Sequence, residues 1–187
     1  LTFHRMVTDF MIQGGDKKGD GTGSASLSDL DKKIQAGSTS DYTYSIKGEF
    51  SANGVNNNLK FEKGVIGMAR SDFSKYGLTS EGYNSGSSQF FIVTTDNQET
   101  LNSLNGSYTA FGKVTEGLDV LHQIESVEVK VADGQESTEG AEVSTPVNPP
   151  KVTSIRVETY GVDYGMPDTL TPFDYTSWLY KQYGINQ

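Results

Sequence analysis

Cysteine is absent from this 187-residue chain. No disulfide can staple the fold, and the redox compartment cannot be read from cysteine usage. Histidine occurs only as His4 and His122, far apart in sequence. Without thiolates, a transition-metal centre would have to rest on unusual carboxylate ligation. Basic residues are scarce too: 15 Lys and Arg stand against 24 Asp and Glu, a formal net charge of -9. That balance, with no basic run, argues against a phosphate-binding surface and against nucleic acid as a partner. No apolar run approaches the length that spans a bilayer. No signal peptide is visible, and the chain opens at Leu1 inside an apparent strand. The natural protein is therefore expected to extend upstream, where any targeting signal would lie.

Familiar site patterns fail as well. Asp16, Asp20 and Gly21 open like a calcium loop, but Lys18 and Leu27 stand where ligands are needed. Gly19-Asp20-Gly21-Thr22-Gly23 lacks the Lys-Ser/Thr of a phosphate loop. No nucleophile elbow is present to serve Ser-His-Asp catalysis.

What is present favours strands. A chain of this length makes one domain and buries a core without staples. Its 21 glycines, ten tyrosines and nine phenylalanines suit strands and turns better than helices. Strands are expected over 1–15, up to the Gly14-Gly15 turn, and over 42–50, 64–70, 89–95 and 108–114. A closing strand is expected over 152–159. Leu27, Leu30 and Ile34 predict a short helix over 27–36, and 97–104 holds a helical turn. Val114, Leu118, Leu121 and Ile124 form one face of an amphipathic helix. Glu116 sits near its start, where the helix dipole favours an acid. Segments 16–28, 71–86 and the acidic stretch 131–150 read as loops. Residues 160–187 read as a tail packed on the domain surface. With no βαβ rhythm, the pattern suits a closed antiparallel barrel or a sandwich.

Two blocks carry the chemistry. The first is Phe3-His4-Arg5 followed by Phe10-Met11-Ile12-Gln13-Gly14-Gly15-Asp16; the second is Gly86-Ser87-Ser88-Gln89-Phe90-Phe91-Ile92. Each reads as a strand of large apolar side chains punctuated by one arginine or one glutamine. Long donors among aromatics suit a site that grips a peptide and polarises it without proton transfer.

Both blocks resemble the cyclophilin family of peptidyl-prolyl isomerases, and with five further matches they make eight in the same order. The five are GTG at 21–23, GEF at 48–50, GVIGMA at 64–69, LNG at 104–106 and FGKV at 111–114; the blocks themselves supply FHR at 3–5, FMIQGGD at 10–16 and GSSQFFI at 86–92. The resemblance runs over 1–159, with insertions at 24–45 and 71–85 and an extension at 160–187. It implies a mainly β fold, a closed eight-stranded antiparallel barrel capped by helices. The match begins at what would be the third strand. The first two strands and the helix between them are expected in the natural chain, or a substitute for them, because a barrel without them leaves open edges.

The resemblance also implies a site. Arg5 matches the catalytic arginine. Phe10, Met11, Phe91 and Leu104 match the walls of the proline pocket, and Tyr108 stands where a histidine often lines it. Gln13 and Gln89 match the polar groups that hold substrate backbone. Ala69 and Arg70 match the segment that pairs with the peptide, where many relatives have Asn in place of Arg70. Gly21 falls in the loop flanking the neighbouring pocket. Ser103 replaces a tryptophan of many eukaryotic relatives, which should weaken cyclosporin-like inhibitors. On strands, Phe90 should point away from Phe91, and His4 away from Arg5, so both read as structural.

The implied function is isomerisation of X-Pro bonds in peptides and unfolded proteins, assisting folding, with no cofactor or metal. Two other readings stand beside it. One is a barrel that grips proline segments without useful catalysis. The other is a carbohydrate- or partner-binding barrel using loop 71–86 and the tail. The polar insertions suit a bacterial extracytoplasmic protein and are equally compatible with the cytoplasm.

Overall fold

Successive side chains of a pleated strand point to opposite faces, and the run Met11-Ile12-Gln13 organises the molecule on that basis. The computed structural model describes residues 1–30, 42–132, 140–165 and 168–184. In chain order its strands are β1 (Arg5–Val7), β2 (Met11–Gly14), β3 (Ser45–Ile46), β4 (Val65–Met68), β5 (Phe90–Val93) and β6 (Ala110–Lys113). Three more follow: β7 (Val129–Val131), β8 (Val143–Pro146) and β9 (Thr169–Leu170). The helices are α1 (Thr79–Tyr83), α2 (Gln98–Leu104), α3 (Leu118–Glu125) and α4 (Tyr175–Gln182). An antiparallel sheet of five strands runs β1-β2-β5-β4-β6, and β3 pairs with β9, β7 with β8. Among the described residues β1 and β6 are the edges of this sheet, so the eight-stranded closure expected from sequence is not formed there.

The pleat divides the core in two. Met11, Phe91 and Val93 lie on one side with Phe61, Val65, Leu101, Leu104 and Ala110. Met6, Ile12 and Ile92 lie on the other with Phe3 and Leu121. Helix α2 serves the first side through Leu101 and Leu104, three residues apart and so on one helix face. Its start is capped by Asn97, whose side chain accepts from the Thr100 N–H. Helix α3 serves the second side through Leu121, with Ile124 packed beside it. Gly117 leads into α3 with φ 84, a left-handed turn that favours glycine.

Several expectations change. The strand expected over 42–50 narrows to β3. Beyond it, side-chain amides take the backbone groups: Asn84 Oδ1 accepts from the Gly48 N–H, and Asn53 Nδ2 donates to the Gly48 carbonyl. Of the helix expected over 27–36, the described part forms a 3-10 turn, Leu27–Asp29. Asp29 Oδ2 holds it by accepting from Ser26 N–H at 2.8 Å; residues 31–36 lie outside the described residues. The acidic stretch expected to be a loop contains β8, which pairs with β7 and buries Ser144 and Pro146. The strand expected over 152–159 is not formed. The Val152 N–H bonds the Leu1 carbonyl at 2.9 Å, but pairing ends there, and Ile155 and Val157 are 61% and 80% exposed.

The loop over 71–86 is more ordered than its composition predicts. It holds a 3-10 turn, Ser74–Tyr76, and α1. The tail packs on it: Tyr175 of α4 stacks on Phe73 at 5.2 Å and 4°, and Trp178 meets Tyr76 at 5.9 Å. Rings of this size bury large apolar areas with preferred stacking geometries, which explains why an aromatic-rich insertion and an aromatic-rich tail find each other.

Candidate active site

Strand register assembles the site. Arg5 lies opposite Gln13, Gln13 opposite Phe91, and Phe91 opposite Gly67. Residues directly opposite in antiparallel strands share a face, so Arg5, Gln13 and Phe91 project to the same side. Position 67 must lack a side chain. A Cβ there would stand 2.5 Å from Phe91 Cζ and 2.8 Å from Phe61 Cε1. The space lets Phe91 stack on Phe61 at 5.7 Å and present its edge to Tyr108 at 5.6 Å.

A continuous polar chain borders these rings. Arg5 Nε and Nη2 each donate at 2.7 Å to the two oxygens of Glu142, the residue just before β8. Arg5 Nη1 donates to Gln13 Oε1 at 3.1 Å. Gln13 Nε2 then donates to Gln89 Oε1 at 2.9 Å. Gln89 Nε2 donates to the Gly23 carbonyl at 2.8 Å and the Gly21 carbonyl at 3.1 Å. Each amide accepts on one side and donates on the other, so both amide orientations are set by their partners. The Arg5 side chain remains 34% exposed. Gln13, Gly21, Ala69, Arg70 and Gln89 line an adjoining cleft of about 310 Å³.

Buried Asp16 shapes the loop that ends this chain. It accepts from the N–H groups of Lys18, Asp20 and Gly21 at 2.8, 3.2 and 2.6 Å. Burial pushes its carboxyl up, but bonds from the backbone N–H groups of Lys18, Gly23, Gly21 and Gly19 outweigh burial and hold it below its ordinary value. A depressed native pKa gives stability that is complete above the ordinary carboxylate range and lost as pH falls through the depressed value. Asp16→Asn is expected to cost about 2 kcal/mol near neutrality. The gap from the parent should shrink below about pH 4. Urea denaturation at about pH 7 and about pH 3 checks this; an equal gap at both would remove the carboxylate as its source.

Comparison with known proteins decides the family. The model of the cyclophilin type peptidyl-prolyl cis-trans isomerase/CLD family matches residues 1–157. The chain belongs to the cyclophilin family. It is 31% identical over 160 residues to peptidyl-prolyl isomerase cwc27 of Emericella nidulans, covering 85% of this chain and 24% of that protein. It is 32% identical over 161 residues to a probable peptidyl-prolyl cis-trans isomerase of Brucella abortus, covering 84% of this chain and 63% of the relative. Among solved structures, a Cryptosporidium parvum cyclophilin-type isomerase, crystallised in the presence of the dipeptide Ala-Pro, is 25% identical with a TM-score of 0.51. That match covers 79% of this chain and 68% of the other. The chain thus spans less than two thirds of the two curated relatives.

The residues singled out from the cyclophilin resemblance gather in one region. Met11, Phe91 and Leu104 are buried in one apolar cluster, with Phe10, Ala69 and Tyr108 packed against it. Phe90 belongs to the opposite cluster. His4 is buried, and burial pushes its imidazole down. Arg70 and Tyr108, which differ from the common residues at their positions, turn out to be partners. The Arg70 guanidinium lies 4.4 Å from the Tyr108 ring centre and 5.1 Å from that of Tyr83, a cation–π arrangement. Its Nε also donates to the Ser107 carbonyl at 3.0 Å. Ser103, at the tryptophan position, donates its hydroxyl to the Thr100 carbonyl. Sequence reasoning missed Glu142 entirely. It sits in a stretch read as an exposed loop, and its partner Arg5 is 137 residues away, so no local pattern marks it.

Proposed function

We propose that this chain is a peptidyl-prolyl cis-trans isomerase acting on X-Pro bonds of peptides and unfolded proteins. The observation that carries the reading is an arginine anchored by Glu142 and Gln13 and partly open to solvent, standing beside an apolar cluster of Phe91, Met11 and Leu104. Rotation about a peptide bond loses amide resonance and must cross roughly 18–20 kcal/mol. In the twisted state the proline nitrogen regains its lone pair and accepts a hydrogen bond. Arg5 supplies the donor. A guanidinium stays protonated, so it donates without acting as a general acid. The bond exists only in the twisted state, which is the condition for lowering the barrier. Phe10, Met11, Phe91, Leu104 and Tyr108 hold the proline ring. Gln13, Gln89, Ala69 and Arg70 anchor the neighbouring backbone along the cleft. The Ala-Pro dipeptide used with the Cryptosporidium parvum relative is the ligand class this assignment requires. No cofactor enters this chemistry.

The isomerase domain in this reading is 1–159, with insertions at 24–45 and 71–85 and an extension at 160–187 whose helix α4 docks on the second. The family's closed eight-stranded barrel belongs to the same reading. The exposed alternation of Ile155 and Val157 is what a strand with one face to bury requires. Ser103 leaves no ring at the tryptophan position, so cyclosporin-like inhibitors should bind weakly. Protease-coupled isomerisation of an X-Pro tetrapeptide tests the function. Acceleration of the slow phase is expected. A folded chain that binds proline peptides without accelerating them would leave a binding module instead.

A further inference from the structure

We propose that Glu142 is a positioning residue for Arg5, delivered by the β7–β8 hairpin to fix the guanidinium for its work on the X-Pro bond. The inference rests on the isomerase reading of Arg5. Strand β8 lies against β1, the strand that carries Arg5. Both Glu142 oxygens are engaged by Arg5, through Nε and Nη2, in the planar two-bond geometry that matches a guanidinium fork. The carboxylate is itself held: Ser144 Oγ, two residues along β8, donates to Oε1 at 2.5 Å.

The donor inventory leaves room for catalysis. A guanidinium has five N–H donors. Glu142 takes the Nε donor and one on Nη2, and Gln13 takes one on Nη1. One donor on Nη2 stays free, and the second on Nη1 makes only a long contact to Met11 Sδ. Anchored on two edges, by Gln13 of β2 and by Glu142 just ahead of β8, the plane cannot swing, and the free donor keeps one direction. Remove Glu142, and Gln13 is the main remaining anchor, with only a long contact from Nη1 to Met11 Sδ at 3.8 Å. The pair is a poor device for stability. Its side chains are 34% and 51% exposed, and exposed pairs of this kind contribute little. Its strong geometry therefore points to orientation. Arg5 and Glu142 also line a hollow of about 380 Å³, so the pair stands at an open surface that a peptide can reach.

The test compares Glu142→Gln and Glu142→Ala with the parent in the full chain. Glu142→Gln keeps size and one acceptor while removing the matched pair. Expected is a loss of roughly tenfold in kcat with KM for the tetrapeptide little changed. In an Arg5→Ala background the same Glu142 substitutions should have no further effect, because the residue acts through Arg5. The Arg5 Nε–H resonance, sharp and slow to exchange in the parent, should broaden or vanish in Glu142→Gln. Parent-like kcat in both Glu142 variants, with Arg5→Ala inactive, overturns this proposal and leaves the isomerase reading intact. A rise in kcat also overturns it, since Glu142 would then be competing with substrate for Arg5. An equal loss in the Arg5→Ala background overturns it as well, since the effect would come through the fold. Full activity in Arg5→Ala overturns the assignment of Arg5 first, and this proposal with it.

Discussion

Arg5→Ala is expected to lower kcat/KM for an X-Pro tetrapeptide by roughly 100- to 1,000-fold, the effect of deleting one preorganised donor to a transition state. The loss should fall on kcat, because the ground-state amide nitrogen has no lone pair to offer and Arg5 is not needed to bind it. Folding should be nearly unaffected. Arg5 is half-buried, and its main partner, Glu142, is exposed enough to be hydrated when released. Arg5→Lys should recover little. An ammonium keeps the charge but cannot span both Glu142 oxygens and the Gln13 amide at once. Single-turnover isomerisation kinetics, with circular dichroism to verify the fold, make the measurement. A folded Arg5→Ala chain with parental kcat would end the arginine-centred mechanism.

Phe91→Ala is expected to produce the largest loss of stability among the site residues, about 3–5 kcal/mol. Phe91 is 5% exposed, lies at the centre of the first apolar cluster, and touches both Phe61 and Tyr108. Its pocket cannot collapse easily. Gly67 opposite has no side chain to move in, and Phe61 would lose its stacking partner. Against a total of about 5–15 kcal/mol for a domain, such a loss brings the chain near its folding threshold. Urea denaturation should show a lower midpoint with an unchanged slope. A midpoint shift equivalent to less than about 1 kcal/mol would mean that this ring is a pocket wall with little role in the core. In the proposed function the same side chain would serve two ends, since the cluster assigned to the proline ring is continuous with the interior.

Much of the layout was legible beforehand because it rests on local periods. The alternation of Met11 and Gln13 against Ile12 separates the two faces of the sheet, and the pair Phe90 and Phe91 divides in the same way. Leu121 and Ile124 mark the packed face of α3 as a period of 3.6 requires, while Val114 of the expected face lies ahead of the helix and Leu118 is 41% exposed. In sequence Asp16 was legible as the end of the FMIQGGD block and as the acid of a calcium motif that fails. Its role became visible once the backbone N–H groups of the following loop were seen to converge on it. The expected strand at 152–159 failed for the complementary reason. Alternation shows that a segment is able to pair, whereas a strand forms only where a partner edge exists.

By itself the sequence determined which residues share a face, which family the motifs belong to, and which side chains have the chemistry to hold a peptide. These are properties of spacing and residue type along short stretches. Only the tertiary structure decided who meets whom across long separations. Glu142 reaches Arg5 through a hairpin hidden in an acidic stretch. Arg70 and Tyr108, two separate departures in sequence, become one stacked pair. The aromatic tail finds the 71–86 loop. Each depends on the path of the intervening chain, and no period within a strand or helix encodes that path.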